Sequence, residues 1–207
     1  MVTRSAVRCA IIAGGSASRM GGAPKGLLEV AGRRTLDRLV EQAVLAFGEL
    51  PLLVANAPDA ARWRPELDMV ADRIPGAGPL GGLYTAIMAG PAPVVCVAWD
   101  LPFVPHQLLT ALATGLRDYD AFLPESGGPR GVEPLCAGYR PHCATAIRAA
   151  IDGGNLSAVG WHQAVKVGRL DLAAVSRFGP PGRLFFNLNT PEDVVSAEAL
   201  ARPNWGA

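Results

Sequence analysis

The chain has 207 residues, half of them hydrophobic, and a formal net charge of +1. That is enough apolar matter for a substantial core, and it reads most simply as one domain over residues 1–200 with a short tail at 201–207. The near-neutral balance, without a basic run, argues against a nucleic-acid footprint, and no apolar stretch approaches the length of a membrane span.

The opening MVTRSAVRCAIIAGG pairs basic residues with a short apolar run. The run flows straight into a glycine loop, so it reads as a first strand at residues 8–13 rather than a signal peptide. The loop that follows carries Gly14, Gly15, Gly21 and Gly22 together with Arg19 and Lys25. Glycines let a ligand approach the main chain, successive N–H groups can form a concave anion site, and two cations suit a polyphosphate. The spacing is neither that of a Walker A loop nor that of the dinucleotide-binding G-x-G-x-x-G. It reads A-G-G-x-x-x-R-M-G-x-x-K. The plain alternative is a strand–turn–helix with solvated Arg and Lys.

A helix is predicted at residues 35–47 and a strand at 52–55. Next comes Gly76-Ala77-Gly78-Pro79-Leu80-Gly81-Gly82-Leu83, another glycine loop, opening a helix at residues 80–89. A helix start offers free N–H groups to an anion, and its glycines would let a planar base lie against the backbone through Gly78, Pro79 and Leu80. Close helix–sheet packing is the other reading. Upstream, Asp72 could accept from a ribose hydroxyl or a base N–H, or be a solvated loop carboxylate.

A strand at residues 93–98 holds the continuous apolar run Val94-Val95-Cys96-Val97, as expected when both faces are covered. It ends at Asp100, before a Leu-Pro turn. A carboxylate there can hold Mg²⁺, a hard cation, or cap the helix predicted at residues 105–116. Strands at 121–123 and 135–139, a helix at 141–151 and a strand at 165–170 follow. The segment Phe185-Phe186-Asn187-Leu188-Asn189-Thr190-Pro191 alternates, so Asn187 and Asn189 share a face. Either amide could give Mg²⁺ another oxygen ligand, Asn189 being the one we carry forward, or stabilise the turn into a helix at 191–200. Thr190 is its cap, with Pro191 at the first position and Asp193 in the first turn. Strand–helix alternation implies an α/β domain with a mostly parallel sheet and helices on both faces, ligands binding beyond the carboxyl ends of the strands. Cys9, Cys96, Cys136 and Cys143 show no C-x-x-C spacing; Cys9 and Cys96, in apolar strands, read as buried small hydrophobes, and the set fits a reducing cytoplasm better than secretion.

Together the four segments resemble the molybdenum cofactor guanylyltransferase family of nucleoside-triphosphate transferases. The resemblance implies a Rossmann-like nucleotidyltransferase fold and transfer of GMP from GTP to molybdopterin, normally already carrying molybdenum, with release of pyrophosphate. It implies nucleotide contacts at Ile12, Ala13, Gly14 and Gly15, phosphate binding by Lys25 with Arg19, Asn56 and Asp72 near the nucleoside, and Mg²⁺ at Asp100. A molybdoenzyme or its chaperone is the partner it suggests. The AGG of the first loop and the GPLGG at residues 78–82 resemble the purine-binding version of the family. The chain departs from the family pattern at Pro24-Lys25, at Glu133-Pro134 and at Gly153-Gly154-Asn155-Leu156-Ser157, the last of which would face the acceptor's phosphate. A cytidylyltransferase, another small-phosphate nucleotidyltransferase, and a non-catalytic nucleotide-binding partner of a molybdoenzyme are the other readings.

Overall fold

The central strands are apolar throughout, and this sets the architecture. In the computed structural model, which describes residues 7–14 and 24–202, β1 (Arg8–Ala13) and β6 (Val94–Ala98) lie side by side and are buried along nearly their whole length. Such strands need cover on both faces. The remaining elements in chain order are the paired β2 (Glu29–Val30) and β3 (Arg33–Arg34), α1 (Thr35–Phe47), β4 (Leu52–Ala55), β5 (Met69–Val70), α2 (Gly78–Met88), then after β6 α3 (His106–Gly115), β7 (Ala121–Pro124), β8 (Cys136–Tyr139), α4 (Cys143–Asp152), β9 (Val167–Leu170), α5 (Leu172–Val175), α6 (Pro181–Leu184) and α7 (Pro191–Ala201).

The main sheet has the order β5-β4-β1-β6-β8-β7-β9. Its β5, β4, β1 and β6 run parallel, β8 is antiparallel to both β6 and β7, and β9 returns parallel to β7. Helices α1 and α3 pack together on one face and α2 and α4 on the other. α1 buries Leu36, Leu39, Val40, Ala43 and Phe47, one stripe at helical spacing, and stops at Gly48, whose φ of 72° is left-handed.

The long elements agree with the sequence to within two residues. The short ones have no counterpart in it: the two-residue strands β2, β3 and β5 are below the length at which a period can be read, and α5 and α6 are single turns. The expected strand at 165–170 begins only at Val167, because His162–Ala164 closes a 3₁₀ turn first. All four cysteines are buried free thiols. Burial pushes Cys9 and Cys143 up to about 12, which makes them inert as nucleophiles near neutrality. Among the described residues no helix is long and apolar enough to cross a membrane.

The entry to α7 is a full capping box. The Thr190 hydroxyl accepts from the Asp193 N–H at 3.2 Å, and Asp193 Oδ2 accepts from the Thr190 N–H at 2.8 Å. Thr190→Ala should lower stability by about 1 kcal/mol, read as a shift of the urea midpoint with an unchanged slope.

Candidate active site

The carboxyl ends of β1 and β6 and the start of α2 converge on a cavity of about 410 Å³. Ile12, Gly14, Lys25, Pro79 and Asp100 line it. Lys25 opens a 3₁₀ turn, Lys25–Leu27, and the seat of that turn is Trp99. The indole is buried and stacked on Trp63 with centroids 5.1 Å apart, and Gly26 lies so close that a Cβ there would come within 2.4 Å of the ring. The main-chain N–H of Trp99 donates to the Ile12 carbonyl at 3.2 Å. One residue on, Asp100 lines the cavity.

Lys25 Nζ donates to Asn189 Oδ1 at 2.7 Å and lies 3.9 Å from Asp100 Oδ2. The backbone holds these distant segments together: the Leu188 N–H donates to the Asp100 carbonyl at 3.0 Å, and the Asn189 N–H donates to Asp193 Oδ2 at 2.8 Å. Leu188 is fully buried, against Val30 and Ala197, while Asn187 lines the cavity, so the alternation read from the sequence is realised. Among the described residues, Asp100 Oδ1 is buried without a hydrogen-bond partner. Burial pushes the Asp100 carboxyl above its ordinary range, with Lys25 opposing the shift. The oxygen donors that fit a hard divalent cation are the Asp100 carboxylate and Asn189 Oδ1, between which the Lys25 ammonium now sits.

The other expected residues divide. Asn56 and Asp72 follow β4 and β5 on the same edge and bond each other twice, Asn56 Nδ2 to Asp72 Oδ2 at 2.7 Å and the Asp72 N–H to Asn56 Oδ1 at 2.8 Å, but neither lines the cavity. Ala13 and Leu80 point into the two core clusters, so only their main chains are available. The first turn of α2 leaves the Gly78 and Leu80 N–H groups without intrahelical carbonyls, and Gly78 takes a φ of 57°. Gly81 and Gly82 are packing glycines: a Cβ would sit 3.0 Å from the Ile74 carbonyl and 2.8 Å from Ile12 respectively. Gly15 and Arg19 lie outside the described residues.

Two contributions escape a reading of the sequence. Trp99 as the seat of Lys25 has one signal there, a glycine directly after the lysine. The cavity wall formed by Arg130, Glu133, Leu156 and Ser157 is signalled only by the departures at Glu133-Pro134 and at residues 153–157; that these segments share one wall is not legible, because they meet only through the sheet. Burial pushes the Glu133 carboxyl up, Ser126 and Arg130 opposing and Asp100 adding to the shift.

The arrangement is that of a nucleotidyltransferase: an anion-receptive helix start, a lysine and a lone carboxylate at the strand ends. Residues 9–165 match the MobA-like NTP transferase domain, and the chain belongs to that family. A molybdenum cofactor guanylyltransferase from Bradyrhizobium sp. (strain ORS 278) is 33% identical over 96% of this chain and 95% of its own. One from Desulfosudis oleivorans is 30% identical over 95% and 96%. Among solved structures, the molybdopterin-guanine dinucleotide biosynthesis protein A of Archaeoglobus fulgidus superposes with a TM-score of 0.78 at 24% identity, covering 93% of this chain and 97% of that one. The 2-C-methyl-D-erythritol 4-phosphate cytidylyltransferase of Thermus thermophilus shares the fold, with a TM-score of 0.63 at 22% identity, covering 95% and 99%. The protein is a nucleotidyltransferase enzyme.

Gly26→Ala should cost about 1–3 kcal/mol by overpacking against the immobile indole, measured by chemical denaturation. For Asp100 the sign is opposite. Its folded pKa is raised, so its contribution to stability is complete below the unfolded pKa and is lost as pH rises through the folded one. In metal-free buffer Asp100→Asn should therefore melt above the wild type near neutrality. The gap should close on acidification, as parallel melts across pH would register.

Proposed function

We propose that the chain transfers GMP from GTP to the terminal phosphate of molybdopterin and releases pyrophosphate, with Mg²⁺ as the metal, in the cytoplasm. The observation that carries this reading is the junction of Lys25, Asp100 and Asn189 at the end of β6, facing the first turn of α2. Its chemical setting is a chain of the MobA-like family whose relatives are named for that reaction.

The reaction joins two anions. An oxygen of the acceptor phosphate attacks the α-phosphorus in line, a new P–O bond forms, and the bond to the β-phosphate breaks. A phosphate monoester is already ionised at neutral pH, so the site needs charge compensation rather than a strong base. Lys25 supplies a cation that can leave Asn189 for the triphosphate, and Arg19 is assigned to the same task from the sequence. The Gly14 main chain and the free N–H groups of Gly78 and Leu80 would receive phosphate or base edges, with Gly15, Ile12 and Ala13 contributing backbone. Asn56 and Asp72 hold each other and would take the nucleoside.

Asp100 would hold Mg²⁺ with Asn189 as a further oxygen donor; the bound ion would offset charge on the triphosphate and on the departing pyrophosphate. Among the described residues no group of three or more His, Cys, Asp and Glu forms a metal site by itself. The rest of the ion's shell would come from phosphate oxygens and water, as Mg²⁺ prefers.

Pyrophosphate release should require GTP and molybdopterin together, with CTP a poor substitute. Lys25→Ala should lower turnover by about two orders of magnitude with its melting temperature little changed. CTP preferred over GTP would move the chain to the cytidylyltransferases, and wild-type turnover in both Lys25→Ala and Asp100→Ala would refute the mechanism.

A further inference from the structure

The sheet order divides the cavity. β1, carrying Gly14, and β4 beyond it lie on one side of β6, and β8 lies on the other. Asp100 follows β6, and Glu133 comes just before β8, whose start pairs with the end of β6 through Val97 and Cys136. Gly14 and the start of α2 lie on the β1 side, so Asp100 stands between them and the wall that carries Glu133. That wall is where the acceptor must lie if the attack is in line.

Its chemistry is divided: Arg130 and Ser157 suit a phosphate, and Glu133 does not. Glu133 lines the cavity and is fixed at the backbone by its N–H donating to the Pro124 carbonyl at 3.2 Å. Around it are Pro134, Leu135 and the half-exposed Leu156, a surface for a flat apolar ring. A carboxylate is an acceptor only. It repels anions and selects a ligand that presents adjacent N–H groups, which two carboxylate oxygens can receive side by side. The 2-amino-4-oxopyrimidine edge of a pterin, with its ring N3–H and 2-amino group, is such a ligand.

We propose that Glu133 binds the 2-amino-4-oxopyrimidine edge of the acceptor's pterin and so sets which acceptor reaches the α-phosphate. The inference rests on the acceptor being a molybdopterin. Guanine carries the same edge, so the test separates the two rings. The full chain and its Glu133→Gln variant are titrated by fluorescence with a pterin-6-ylmethyl phosphate and with its lumazine counterpart, in which an oxo group replaces the 2-amino group. GTP and ITP, which differ by the same amino group, are titrated in parallel.

The wild type should prefer the pterin to the lumazine, and Glu133→Gln should weaken pterin binding roughly 10- to 100-fold and erase the preference. Its affinities for GTP and ITP should stay at wild-type values, which also certifies a folded site. In turnover the loss should appear in KM for molybdopterin. A variant that keeps the pterin preference overturns the inference while leaving the guanylyl-transfer reading intact. A loss confined to GTP over ITP assigns the edge to guanine and overturns it too. A wild type that binds no pterin overturns the acceptor reading itself, and the inference with it.

Discussion

A buried carboxylate with one oxygen unpartnered among the described residues is the constraint around which the site is built. Asp100 ends the central strand where water is scarce, and the Lys25 ammonium beside it is 3.9 Å away. Burying a charge without full hydrogen bonding is costly, and in the ligand-free protein Lys25 offsets only part of that cost, as the upward displacement of the carboxyl's pKa records. The fold tolerates the imbalance because Asp100 cannot retreat: β6 before it is buried throughout, and its own carbonyl is bonded to Leu188. Strain kept at a functional position is available to a ligand that relieves it.

Three segments far apart in sequence have to be held in register for this, and each uses a different device. The Lys25 turn sits on Trp99 because Gly26 has no side chain. Asn189 is set by two N–H groups converging on the Asp193 carboxylate, so the capping box of α7 is also a support for the site. The link between them is the Leu188–Asp100 hydrogen bond, backed by the small cluster of Val30, Leu188 and Ala197. Adjacent residues in the turn after β6 thus split the work: Trp99 packs the lysine's turn and Asp100 faces its ammonium.

This division explains what is legible in the sequence. The apolar run at Val94–Ala98, the stripe of α1 and the Thr190 cap carry their own periodic or local signals, and the structure follows them closely. Lys25, Asp100 and Asn189 are legible because each lies by a strong element on the edge where α/β sheets bind ligands. The antiparallel insertion of β8 is not, since strand direction leaves no mark on a four-residue apolar run. Arg130, Glu133 and Leu156 owe their meeting to that insertion. The GPLGG glycines show a finer ambiguity: spacing suggests a base platform, yet Gly81 and Gly82 relieve contacts with Ile74 and Ile12, and only Gly78 and Pro79 reach the surface. A glycine reports that something comes close, not whether it is a ligand or the protein's own backbone.

The two halves of the cavity also differ in what builds them. The β1 side consists of strand ends and the first turn of a long helix, positions fixed by the sheet and both hydrophobic clusters. The β8 side consists largely of loop residues around 126–135 and 156–158. Chemistry that depends on sub-ångström placement belongs on rigid elements, whereas loops can change side chains without moving the sheet. A fold arranged this way can keep its phosphorus chemistry while its loops are exchanged for different acceptors. Sharing of the same architecture with a cytidylyltransferase named for an erythritol phosphate accords with that. Acceptor identity therefore has to be argued from the loop side chains of this chain. Of those among the described residues, Glu133 combines a fixed backbone with a place on the cavity wall at the start of β8.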